Sequence, residues 1–170
     1  MDIANIAGRF QHNGQAIAAL LAGVTPAQAR WKPGAADWSI LEIVNHLADE
    51  EVEDFRRRVD LTLHHEGEPW PPIDPVAWAV ERRYNDRGLD ESLARFLEAR
   101  RTSIAWLEQL ESPDWQRVYR HPKVGALSAG DLLASWLAHD MLHIRQLAKR
   151  HFQFLGESLP GFSLAYAGDW

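Results

Sequence analysis

The chain has 170 residues, 46% hydrophobic and 25% charged, which suits one folded domain with its own core and argues against disorder. A net charge of −6 leaves no basic stripe for nucleic acid; the short runs Arg56-Arg57-Arg58 and Arg82-Arg83 both lie close to acids. The absence of cysteine removes disulfides, thiolate metal ligands and a protein-borne thiol nucleophile together.

Four segments repeat apolar residues with helical period, and no stretch of comparable length alternates like a strand. The first covers residues 2–22, with Ile3, Ile6, Phe10, Ile17, Leu20 and Leu21 on one stripe, and ends at Gly23 and Thr25-Pro26. It carries no basic leader, and no apolar run approaches the ~18–20 residues of a membrane span, so neither a signal peptide nor a membrane anchor is expected and a cytoplasmic location is the default.

The second segment opens on a capping box, Ser39 with Glu42, and Trp38 can staple onto Ile43. Leu41, Val44, Ala48, Val52, Phe55 and Val59 carry its apolar face to about residue 64. Residues 65–89, with Pro69, Pro71, Pro72 and Pro75, form a crossover far longer than antiparallel neighbours need. The third helix starts near Asp90 and presents Leu93, Phe96, Leu97, Ile104, Leu107 and Leu110 before Ser112-Pro113. The fourth repeats the box at Ser128 and Asp131, with Leu127 and Leu132 as staple, and runs to about residue 152. The expected fold is all-α, a sheet-free four-helix bundle over residues 1–152 with a tail, 153–170, docked on the bundle or on a partner chain. The eight tryptophans and the apolar tail make a homodimer an expectation as well.

The strongest local signal for chemistry is His139-Asp140-Met141-Leu142-His143. Histidines at i and i+4 lie about 6 Å apart at Cα on one helix face, so two imidazoles can converge on one ion. Such pairs are also common without a metal. A metalloprotease reading fails, because Asp140 is one methylene shorter than the glutamate base and no third ligand follows closely. Asp140 points towards the apolar stripe of Leu132, Leu133, Trp136 and Leu147, where a carboxylate needs a partner; Arg100, central on the third helix's apolar face, is the expected one. His46 shares its helix face with Glu42, Asp49, Glu50 and Glu53, and periodicity alone favours a solvated histidine there. His12, His64, His65 and His121 fall on solvent faces or near loops, and His151 sits at a helix end.

Taken together, Trp38-Ser39, Glu42, His46 and the late His139, His143, Gln146 resemble the DinB-like (DinB/YfiT-type) metalloprotein superfamily over nearly the whole chain up to residue 152. The resemblance implies an up-down-down-up bundle, which suits the long crossover. It also implies one divalent ion, zinc or nickel, on His46, His139 and His143. Asp49 and Glu50, three and four residues past His46, are the expected groups at the open coordination position, and Gln146, Asp140 and Arg100 the expected outer supports. Members of the superfamily include transferases that use a low-molecular-weight thiol, a thiol-dependent isomerase and assumed hydrolases. The expected function is therefore a metal-dependent enzyme acting on a small-molecule substrate; the alternative is a non-catalytic binding or stress-response module.

Overall fold

Each long helix begins where the sequence supplies a cap or a permissive turn. The computed structural model describes residues 1–168 and Trp170. Helix α1 (Ile3–Leu21) is capped by Asp2, whose carboxylate accepts from the Asn5 N–H at 3.1 Å. A short α2 (Pro26–Arg30) follows behind Thr25. Ser39 and Glu42 close a reciprocal box at the start of α3 (Ile40–Asp49), and a π-helical turn, Glu50–Asp54, joins it to α4 (Phe55–His64). Helix α5 (Pro75–Glu81) lies within the crossover, α6 (Leu89–Glu108) follows, and Ser128 and Asp131 box the start of α7 (Ala129–Ser158).

Helix α1 packs against α6 and α7, α3 against α6, and α4 against α7, which closes a ring of four long elements. One end of the core is built from Ile17, Ile43, Leu47, Phe96 and Leu147. The other holds Phe10, Leu107, Leu133 and Trp136, with Val59, Leu61 and Leu132 beyond. In chain order α1 and α7 pass from the Trp136 end to the Leu47 end, and α3–α4 and α6 pass the other way. Between the two ends, each long element contributes one polar residue to a shared layer: Asn13, Glu51, Arg100 and Asp140.

Four features depart from the sequence-based expectation. Val118–His121 (β1) and Gly125–Ser128 (β2) form a two-stranded antiparallel ribbon, so the fold is not sheet-free. Four-residue strands are too short to display alternation, and Gly125, at φ +85°, makes the turn that pairs them. The π turn inserts a residue into the second helix and rotates the remainder of that helix by about 100°. Val52, expected on the apolar face, is consequently 44% exposed, while Glu50, Glu51 and Asp54 are buried. The crossover is partly ordered by α5 and by the 3₁₀ turn Tyr84–Asp86. Finally, α7 continues past residue 152 to Ser158, two residues short of Pro160. The segment beyond it is largely exposed, Phe162 and Tyr166 included, and the Trp170 ring packs on Phe152 of the helix, 5.7 Å between centroids.

Candidate metal centre

The capping box at Ser39 fixes where α3 begins, and His46 follows seven residues later, two turns in, on the flank that faces α7. Helix α7 supplies His139 and His143 one turn apart. The three rings meet: His46 Nε2 lies 3.4 Å from His139 Nε2, and His139 Nε2 lies 3.1 Å from His143 Nε2. Three nitrogens bonded tetrahedrally to one ion at ~2.0–2.1 Å would stand roughly 3.3 Å apart. These two separations match that value, all three donor atoms lie within 4.8 Å of one another, and neutral imidazoles are the donors a divalent ion takes.

The surroundings hold the rings neutral. Burial, and then the proximity of His143 and His139, lowers the pKa of His46 to about 2. Burial first, then His143 and Arg100, lowers His139 to about 3. His143 is also lowered by burial, against the opposing pull of Gln146 and Asp140. Trp38 packs on His46 and Phe55 on His139, with ring centroids 4.8 and 5.0 Å apart, and these aromatic walls supply much of that burial. Gln146 Oε1 accepts from the His143 Nδ1–H at 2.8 Å, which leaves a lone pair on Nε2, where the three rings converge.

The acids expected at the open position sit elsewhere. Asp49 is fully buried and faces the crossover, where it accepts from Arg82 at 2.6 Å and from the Tyr84 hydroxyl and pairs with Arg95. Glu50 approaches the opposite nitrogen of His46, Nδ1, at 3.5 Å, so its carboxyl stands behind the ring rather than beside Nε2. Burial and the neighbouring Asp54 push its pKa up to about 9. The physical reason for Asp49 is that the crossover and α6 cover this face of α3 and supply cations and a hydroxyl to its carboxylate. Glu42 is committed to the cap, accepting from the Ser39 N–H at 2.8 Å and from Lys32 at 2.6 Å.

Arg100 and Asp140, the pair expected across the bundle, make two parallel hydrogen bonds of 2.7 Å. The same guanidinium donates to Glu51 Oε1 at 2.6 and 3.0 Å and to the Phe10 carbonyl at 3.1 Å. Trp136 Nε1–H donates to Glu51 at 2.8 Å, and the Asn13 amide to Asp140 at 3.0 Å. Burial works against the Arg100 charge, but hydrogen bonds and attraction from Asp140 and Glu51 outweigh it and raise its pKa above the ordinary arginine value. Burial pushes Glu51 up despite Arg100. Sequence reasoning missed Glu51 and the Trp136 bond; a tryptophan and an unpaired carboxylate at one height were the available signal.

A cleft of about 870 Å³ opens onto the histidines, lined by Asp37, His139, His143, Gln146, Lys149 and Trp170 among others. That lies in the range of small-molecule sites.

The fold and the sequence both connect the chain to known proteins. The family model of the DinB superfamily matches residues 9–147. The chain belongs to the DinB superfamily. A protein of Oceanobacillus iheyensis named "Putative metal-dependent hydrolase OB0782" is 30% identical over 117 residues, a match that spans 66% of each chain. Among solved structures, Bacillus subtilis YfiT, described as a probable metal-dependent hydrolase with an unusual four-helix bundle topology, superposes with a TM-score of 0.78. The superposition covers 89% of this chain and 87% of YfiT at 20% identity, and shows the four-helix-bundle fold. Among the described residues no helix is long and apolar enough to cross a membrane.

Proposed function

We propose that the protein is a metal-dependent enzyme acting on a small molecule, with hydrolysis the reaction its site supports best. The observation that carries this reading is the convergence of three neutral imidazoles, two of which, His139 and His143, line a cleft. A divalent ion held there, zinc or nickel, would polarise a substrate carbonyl or phosphoryl group and acidify a bound water or thiol. His46, His139 and His143 would hold it, with three protein donors leaving room for a further ligand, as catalytic zinc sites do. Gln146 keeps the His143 proton on Nδ1. Trp38 and Phe55 exclude solvent from the ring faces. The chain contributes no thiol, and the histidines are occupied as ligands, so the nucleophile comes from solvent or from a second small molecule. The names carried by the Oceanobacillus and Bacillus relatives favour hydrolysis.

The absence of cysteine and the volume of the cleft favour a second reading, in which a low-molecular-weight thiol is the nucleophile and is transferred to an electrophile. One experiment separates the two. Metal-loaded protein is offered a panel of esters and amides, and in parallel a panel of cellular thiols with a chromogenic electrophile. Metal-dependent hydrolysis without thiol, abolished in His139→Ala, is the expected result. Turnover that needs both metal and thiol would replace it with the second reading. Silence in both panels from protein with full metal occupancy would leave a binding module.

A further inference from the structure

The cleft beside the histidines has a charge that the rest of the molecule does not. The chain carries a net charge of −6, and most of its buried or half-buried arginines are tied to acids: Arg58 to Asp54, Arg82 to Asp49 and Glu53, Arg100 to Glu51 and Asp140. Along the cleft the balance reverses. Among the described residues its wall holds three cationic side chains, Arg145, Lys149 and Arg150, against one acidic side chain, Asp37. Arg150 and Asp37 neutralise each other at 2.7 Å, whereas Arg145 and Lys149 make no ion pair among the described residues. The neighbouring amides are also engaged, Gln146 with His143 and Gln153 with Arg150.

These residues follow one strip of α7. His139, His143, Gln146, Lys149 and Gln153 recur every three or four residues, so the cleft runs along the helix from the histidines towards Trp170. At 1.5 Å per residue, Lys149 stands about 9 Å along the axis from His143. A flexible lysine reaching back spans part of that gap. Arg145, two residues past His143, lies off this strip, about 200° round the helix, and reaches the cleft from its side.

We infer that this cleft takes a small molecule bearing an anionic group, a carboxylate or a phosphate, held by Arg145 and Lys149 while its reacting group lies against His139 and His143. The inference rests on the proposed function, because it places the reacting group at the metal centre. Two exposed cations at the wall of the cleft, unpaired among the described residues, favour an anion over a neutral molecule of the same shape. Arginine in addition offers a forked pair of donors to either oxyanion. Leu142 and the Trp170 ring supply the apolar contact for the carbon skeleton between the two ends.

The test uses zinc-loaded protein and calorimetric titration, independent of any turnover. The probes are alkyl hydroxamates, which share one metal-binding head, in three series: neutral alkyl, ω-carboxyalkyl and ω-phosphonoalkyl, each with two to five methylenes. The charged series are expected to bind about tenfold more tightly than the neutral one at the best chain length, the size of one or two charge-assisted hydrogen bonds. That ratio should shrink with added salt and fall close to one in the double variant Arg145→Gln, Lys149→Gln. A preference between carboxylate and phosphonate then tells which anion the site is built for. Equal affinity of charged and neutral probes in the parent protein overturns the inference and leaves the proposed function standing. A ratio that survives the double variant overturns the assignment to these two residues. Failure of every hydroxamate to bind a protein shown by elemental analysis to hold its zinc overturns the proposed open centre itself, and the anion site with it.

Discussion

His143 owes its usable lone pair to a single neighbour. With Gln146 accepting from Nδ1, the ring is locked in the tautomer that leaves Nε2 free and oriented towards His139 and His46. Gln146→Leu is therefore expected to keep all three histidines yet weaken metal binding by about 10–100-fold, the usual cost of losing such an outer partner. His46→Ala and His143→Ala should lose stoichiometric occupancy altogether, read by elemental analysis and by competition with a chromogenic chelator. Unchanged affinity in Gln146→Leu would show that the tautomer needs no lock. Arg100 is the other residue on which much depends, since its guanidinium serves two buried carboxylates. Arg100→Met strands both Glu51 and Asp140, and an unfolding loss of about 3–5 kcal/mol in urea titration is expected. The Arg100–Asp140 contact was accessible to a helical wheel because each residue sat at the centre of an otherwise apolar stripe. Glu51, four residues before Phe55 and seven past Val44, falls at the edge of their stripe on a wheel, where a carboxylate can equally face water, so its partner was not specified.

The π turn at Glu50–Asp54 explains most of what a wheel misplaces. It begins one turn after His46, and within it Glu50, Glu51 and Asp54 are buried while Val52 is left in solvent. Both capping boxes were readable because a cap is a local hydrogen-bond pattern spelled by residues three apart. The π turn, the ribbon and the run of α7 through Gly156 were not, because each is decided by what packs on it rather than by local preference. The centre itself was half readable: His139 and His143 share one helix face, but His46 joins them only through the packing of α3 on α7, and periodicity alone set it among solvated acids. The π turn also sets a pH dependence. Glu50 has its pKa raised from 4.5 to about 9 in the folded chain, so its contribution is complete below pH 4.5 and is lost as pH rises through about 9. His46 and His139 run the other way: lowered from 6.5 to about 2 and about 3, they contribute fully above pH 6.5 and lose that contribution as pH falls. Metal-free Glu50→Gln keeps a neutral, hydrogen-bonding side chain and removes this share of the alkaline loss. Its urea midpoint should decline less than that of the parent from about pH 7 to about pH 9, the remainder coming from Glu51, which burial also raises. Parallel curves for the two proteins would place the origin of the slope elsewhere.

Considered as one body, the molecule places its three donors so that an ion ties α3 to α7, elements separated by more than half the chain. An unfolded chain offers no such triad, so binding adds to stability by mass action. Free zinc at about a thousand times its dissociation constant should contribute about 4 kcal/mol, or a rise in Tm of roughly 10 °C for a domain of this size. A chelator should reverse it, and His46→Ala should show none of it. The pH dependence of that rise is informative, because a triad assembled from ordinary imidazoles would take up protons near pH 6.5 and release its ion. In this fold, burial lowers all three rings, His46 to about 2, His139 to about 3 and His143 below the ordinary imidazole value. Acidification then weakens the folded chain by protonating the unfolded one, without protons competing for the site. The increment in Tm given by zinc should therefore be nearly the same at about pH 5.5 as at about pH 7.5, even as the Tm of the metal-free protein falls. Scanning calorimetry with and without zinc at the two pH values measures this. An increment that vanishes at the lower pH would mean that the histidines take up protons in the folded protein and that the centre is organised by the metal rather than by the fold.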